Sequence, residues 1–260
     1  MNLFDFSGIE RIAHPIDAYQ KVRSALPTKR KITYVTGPIT SGGAVRLREN
    51  DPALSIPHVI ALNRVFATHL LSLLARLGDN EEETIIFPYN LGTLQMQDKD
   101  GKIKEWGEED YLPFWIMIIT GMTPELATQF WHQIGMFFQD KSILSDHDKP
   151  RSSRVQHYQR LEKIVKDFMR NCQGTSGYEC VDKILALPDS DLSFGSTLER
   201  RIAQTLAIPT FDLQVNPKKI ALLDQELDAD PVYQLLINLG VLPIISEPET
   251  LVALRLVLNE

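Results

Sequence analysis

The sequence predicts an α/β fold, a parallel sheet flanked by helices, and three observations predict it. Val181–Leu187 reads as a short buried strand and Ile208–Leu213 as a second. Between them Ser193–Leu206 reads as a loop feeding an amphipathic helix, with Leu198, Ile202, Ala203 and Leu206 on one face. A strand–helix–strand run is the unit of a parallel sheet, because the crossover helix covers the sheet face. Near the start, Lys31–Thr36 is a β-rich run stopped by Gly37 and Pro38, and Thr84–Phe87 is another, ended by Pro88.

At 260 residues, 43% of them hydrophobic, the chain is long enough for one large α/β domain. The expectation is a single domain over 1–260, with a helical insertion at about 100–150 and a helical C-terminal extension at about 214–260. A net charge of −7 argues against a nucleic-acid backbone as partner. It leaves room for a nucleoside or nucleotide, since a helix N-terminus binds phosphate locally. Cys172 and Cys180 match no metal-site spacing and read as two reduced thiols, and no metal or cofactor is expected. Met1–Phe6 lacks a basic region followed by an apolar core. The longest apolar run, Phe114–Ile119, is far shorter than the roughly 20 residues of a membrane helix. A soluble, cytoplasmic protein without membrane partners is the expectation.

The elements follow in order. Ile16, Tyr19, Val22 and Leu26 mark a helix that Pro15 opens and Pro27 ends, an N-terminal cover without chemistry. After the first strand, Thr40-Ser41-Gly42-Gly43 can bring backbone N–H groups close to a ligand, and Arg46 and Arg48 either meet a phosphate or are simply solvated. Residues 57–77 form a helix with Ile60, Phe66, Leu70 and Leu74 on one face, closed by Gly78. Glu81–Glu83 reads as a solvated turn. Tyr89 and Asn90 then lie at a carboxyl edge, as base contacts or as an ordinary turn. Residues 96–107 are polar and turn-like. Two apolar helices fill 109–140, broken near Gly121 and Pro124, their aromatic stripe reading as core or interface and otherwise as a lid. Asp146–Arg154 is a polar loop, and 155–171 a helix burying Tyr158, Leu161, Ile164, Val165, Phe168 and Met169. Apolar helical patterns continue after residue 213.

Two stretches carry chemistry. Tyr34-Val35-Thr36-Gly37-Pro38-Ile39 ends the first strand, and Ser193-Phe194-Gly195-Ser196-Thr197-Leu198-Glu199 opens the late helix. Ligands of parallel α/β sheets sit beyond the carboxyl ends of the strands, so Glu199, expected in the first helical turn, aims a carboxylate at that crevice. Together the stretches resemble the nucleoside 2-deoxyribosyltransferases and the related nucleotide N-hydrolases, whose pattern continues through an alanine to Gly-Ile/Lys-Pro; here Ala203 and Ala207-Ile208-Pro209 stand there. The matched segments cover a small part of the chain. Thr40 also takes the position where related hydrolases carry arginine.

The resemblance implies a Rossmann-like domain that cleaves or transfers at an N-glycosidic bond, with Glu199 as nucleophile and Tyr34 orienting it. It implies substrate contacts from Gly37, Pro38, Ile39, Asn90, Ser193, Gly195 and Ser196, and a homo-oligomer. The chemistry asks for such a carboxylate: an oxocarbenium-like sugar is stabilised or attacked from below C1′, and a general acid helps a neutral base leave. The family's acid lies on the helix before the central strand, which leaves Asp167 or Glu162 here, Asp167 preferred. Asp182 reads as a structural residue at the strand start. A nucleotide sensor without turnover and a protein-interaction module are the alternatives on the same scaffold.

Overall fold

The computed structural model describes residues 2–27, 30–37, 83–97, 100–138, 151–171, 180–187, 190 and 193–212. The glycine-rich loop after Pro38, Arg46, Arg48, the helix expected at 57–77 with His58 and His69, and everything after Asp212 lie outside the described residues. Two compact units divide the chain: Met1–Val35, Glu81–Leu185 and Thr197–Phe211 form one, and Thr36–Asn80, Ala186–Ser196 and Asp212–Glu260 form the other.

A five-stranded parallel sheet organises the fold. Its strands are β1 (Asn2–Leu3), β2 (Lys31–Thr36), β3 (Glu83–Ile86), β6 (Lys183–Ala186) and β7 (Thr210–Asp212), in the order β1-β3-β2-β6-β7. Strands β2 and β3 pair in register from Lys31 opposite Glu83 to Tyr34 opposite Ile86. The start of the chain, expected only to cover the core, instead adds β1 at an edge, with Asn2 opposite Thr84 and the Phe4 N–H donating to the Ile85 carbonyl at 2.8 Å. A two-residue strand is too short to show a period of two. Residues 96–107, expected as turns, hold an antiparallel ribbon of β4 (Gln95–Gln97) and β5 (Ile103–Glu105). Its side chains are half-buried or exposed on both faces, so no hydrophobic alternation marks it.

Among the described residues, five helices accompany the strands. Helix α1 (Pro15–Ala25) starts on His14, whose Nδ1 accepts from the Ile16 N–H at 3.3 Å, and Pro15 fills its first position as expected. Helix α2 (Glu108–Thr120) ends on Gly121, whose φ of 60° is the left-handed conformation that glycine adopts without strain. The Asp110 carboxylate reaches back to the Gly107 N–H at 3.0 Å. Phe114, Ile116, Met117, Ile118 and Ile119 are all buried, which makes α2 a core helix. It packs on α1 and on α3 (Pro124–Phe138), and α3 packs on α4 (Arg151–Asn171). Helix α4 begins at Arg151, inside what the sequence suggests is loop, because polar residues in a first turn leave no apolar period to read. Tyr158, Leu161, Val165, Phe168 and Met169 are its buried face, and Ile164 is half-buried.

Helix α5 (Phe194–Thr205) buries Leu198, Ile202 and Ala203. It closes in a Schellman motif: the Ile208 N–H donates to the Ala203 carbonyl at 2.9 Å and the Ala207 N–H to the Gln204 carbonyl at 3.2 Å. Ala207 occupies the left-handed position, at φ 56°. Its Cβ crowds the following carbonyl there, which costs roughly 1–2 kcal/mol relative to glycine.

Glu83 corrects the expected solvated turn. It is buried in β3, where it accepts the Thr33 hydroxyl of β2 and pairs with Lys183 Nζ of β6 at 2.6 Å. One carboxylate therefore ties three adjacent strands. Burial alone would raise this carboxyl; the bonds from Lys183 and Thr33 and the lysine charge outweigh that and hold it below the usual range. Asp182 works similarly at the start of β6, accepting the Ile32 N–H at 2.6 Å while its own N–H donates to the Ile32 carbonyl at 2.9 Å. That is the structural role expected of it.

Two outcomes follow from these contacts. A lowered folded-state carboxyl contributes stability above its unfolded value, about 4.3, and loses it as pH falls through the folded value. Denaturant midpoints of the wild type therefore drop below about pH 4.3, and Glu83→Gln, less stable at neutral pH, shows a shallower drop. Ala207→Gly raises the unfolding free energy by about 0.5–1 kcal/mol, the strain relieved less the added freedom of the unfolded chain, measured by urea denaturation.

Candidate active site

Strand β2 and helix α5 bring the two motifs together within the first unit. The Tyr34 hydroxyl donates to Glu199 Oε1 at 2.9 Å, across 165 residues of sequence. Tyr34 is 0% exposed and Glu199 6%. A buried carboxylate survives only with such donors, and a hydrogen bond to a charged group contributes about 1.5–3 kcal/mol. Trp115 of α2 packs against the Tyr34 ring at 5.9 Å between centroids, and Phe114 against Trp115 at 4.6 Å. The phenol that donates to the carboxylate thus packs against a pair of rings.

Tyr89 joins this group from a single 3-10 turn, Pro88–Asn90, that follows β3. Its ring is buried beside Phe87 at 4.9 Å. Both phenols hold their protons far above the ordinary tyrosine range. For Tyr34 the causes are burial, then the charge of Glu199 and the hydrogen bond to it, and then Tyr89; for Tyr89 they are burial and the charge of Glu199. At neutral pH each is a donor that keeps its proton.

The start of α5 corrects the expected place of Glu199. The helix begins at Phe194, so Glu199 is its sixth residue and lies past the first turn. The helix dipole favours carboxylates mainly within that turn. Dipole pairing therefore does not account for a buried glutamate here, and Tyr34 is its described partner.

In the second unit, Ser193 and Ser196 are engaged in building the helix start. Ser193 Oγ accepts the Ser196 N–H at 3.3 Å, an N-cap bond, and the Ser196 hydroxyl donates to the Gly37 carbonyl at 2.8 Å. Gly195 is half-buried between them. Pro38 and Ile39 lie outside the described residues. Asn90 is half-buried, and its N–H donates to the Phe87 carbonyl at 3.0 Å to close the 3-10 turn.

The structure places both acid candidates in ion pairs of their own. Asp167 is 47% exposed at its side chain and faces Arg170 of α4 at 3.7 Å. Glu162 accepts from Lys166 at 2.6 Å and from Arg201 at 2.7 Å. Arg201 lies two residues beyond Glu199, about 200° around α5, so Glu162 is held on the opposite flank of that helix. Of the expected catalytic residues, Tyr34 and Glu199 meet, while Asp167 lies exposed on α4 near Arg170. Trp115 was legible only as one ring of an aromatic stripe, with nothing in its spacing to single it out.

Among the described residues, no group of three or more His, Cys, Asp or Glu side chains is arranged to hold a metal ion. No protein-family model, curated protein or solved structure matches this chain.

A double-mutant cycle with Tyr34→Phe and Glu199→Gln measures the pair. Urea denaturation should give a coupling energy of about 1–3 kcal/mol. A value near zero would mean that the hydroxyl does not support the carboxylate.

Proposed function

We propose that the protein cleaves or transfers at the N-glycosidic bond of a nucleoside or nucleotide, with Glu199 as nucleophile and Tyr34 orienting it. One observation carries this reading: the hydrogen bond that joins the two motifs on which the sequence resemblance rests. A glutamate in a strand–helix crossover of a parallel sheet, held by a phenol on the central strand, supplies the single carboxylate that attack at C1′ needs. The burial of both groups supports it, because a low-dielectric setting strengthens the attraction between a carboxylate and a developing sugar cation.

The test is release of free base. The purified chain is incubated with pooled ribo- and deoxyribonucleosides, their 5′-monophosphates and a nicotinamide dinucleotide, and the products are separated by chromatography. Wild type releases base, and Glu199→Gln lowers the rate by at least about a thousandfold. Tyr34→Phe lowers kcat with little change in KM, since it disturbs the attacking group and not the ground-state contacts. Equal release by wild type and Glu199→Gln would sink the reading. Thermal stabilisation by a nucleotide with no base released would instead identify a non-catalytic sensor.

A further inference from the structure

The start of helix α1 depends on an imidazole. Pro15 fills its first position and has no N–H, so the Ile16 N–H is the first donor of the helix without an intrahelical partner. Its described acceptor is His14 Nδ1 at 3.3 Å, offered by an extended N-cap residue with φ −70° and ψ 141°. Serine, threonine and asparagine do this work at most N-caps, and none of them changes charge between pH 5 and 8 as histidine does. A neutral imidazole accepts at one nitrogen while the other carries the proton. A second proton puts an N–H on Nδ1, so that two donors face each other. It also sets a positive charge against the positive end of the helix dipole.

His14 joins two firmly held parts. On one side, Arg11–Ala13 is bonded to the β4–β5 ribbon and the turn after it. The Ala13 N–H donates to the Gln95 carbonyl at 2.8 Å, the Gln95 N–H to the Arg11 carbonyl at 2.8 Å, and Trp106 Nε1–H to the Ala13 carbonyl at 2.9 Å. On the other side, α1 buries Ile16, Ala18, Tyr19 and Val22. Trp131 of α3 packs edge-on against the imidazole, 5.3 Å between centroids and at 72°, which restrains the direction of Nδ1. The residue still faces solvent, so protons reach it. The titratable groups around it are Asp17 of α1, Asp110 of α2 and His132 of α3, with Lys104 of β5 at 3.4 Å from Asp110. Loss of water from the packed side of the ring is the largest influence and opposes its charging. Asp17 and Asp110 favour the charged ring and His132 opposes it, and the balance holds His14 below the ordinary histidine value.

We propose that His14 is an acid-sensitive cap: uptake of one proton by its imidazole releases the Ile16 N–H and loosens the junction between α1 and the ribbon. In the unfolded chain histidine takes its proton near pH 6.5, about the ordinary value. Folded His14 takes it at lower pH. The stability that the neutral cap contributes is therefore complete above about pH 6.5 and is lost as pH falls from there through the folded value. The Glu83 contribution disappears in a separate window, below about pH 4.3.

The experiment follows the full chain by NMR from pH 8 to 5, reading the His14 ring and the Ile16 amide. The ring is expected to titrate below about pH 6.5, and the Ile16 amide resonance to move with the same midpoint. Hydrogen-exchange protection of that amide falls by about 2- to 30-fold across the titration, the loss that removal of an N-cap produces. Urea midpoints add a second readout. Asparagine caps a helix without titrating, so the gap between wild type and His14→Asn widens in favour of the variant as pH falls. An Ile16 amide that does not follow the ring, a ring that titrates at or above pH 6.5, or midpoints that fall in parallel overturns the proposal. If His14→Asn does not fold, the wild-type titration decides alone.

Discussion

Strand β2 is buried along almost its whole length, and it places polar side chains on both faces. Thr33 and Tyr34 point to opposite sides of the sheet. Each hydroxyl buried there needs a partner, and each finds a glutamate: Glu83 on the neighbouring strand for Thr33, Glu199 on a crossover helix for Tyr34. Two adjacent residues thus set two demands that the rest of the first unit is built to meet. The Glu83 side draws in Lys183 and locks β3, β2 and β6 at their amino ends. The Glu199 side fixes the rotation of α5 over the sheet, because only one face of that helix can present the carboxylate while Leu198, Ile202 and Ala203 stay buried.

The two glutamates differ in what surrounds them. Glu83 has a cation within ion-pair distance and a purely structural setting. Glu199 accepts the Tyr34 hydroxyl, and its charge also acts on Tyr89. Two buried carboxylates thus meet adjacent residues of β2, one from the neighbouring strand and one from helix α5. Helix α2 makes that setting possible: its all-round burial delivers Trp115 to the underside of Tyr34 and keeps water from the phenol.

Much of this was legible in the sequence where the physics is local. Lys31–Thr36 is the strand expected, and the apolar face of α5 follows from its 3.6-residue spacing. Pro15 and Gly121 mark helix ends through their own backbone constraints. Tyr34 and Glu199 were paired through motif resemblance, and the structure supplies the bond between them. What escaped was non-local or lacked a period. Glu83 looked solvated because its run of acids gives no hint of Lys183, 100 positions away. The β4–β5 ribbon buries no face and so shows no alternation. Asp167, preferred with Glu162 as the alternative because both lie on the helix before the central strand, pairs with Arg170 three residues on. Ala207 fills a place suited to glycine, and its strain is visible only in the backbone angle.

The separation of Tyr34 from Glu199 also has a temporal side. At ribosomal rates of about 5–20 residues per second, roughly 8–30 seconds pass between synthesis of the phenol and synthesis of its carboxylate. Over that interval β2 exists as a nascent segment whose buried hydroxyl has no acceptor, so the strand cannot take its final packing until α5 has left the ribosome. The Tyr34–Glu199 bond and the packing of α5 against β2 are therefore among the later contacts available to a growing chain.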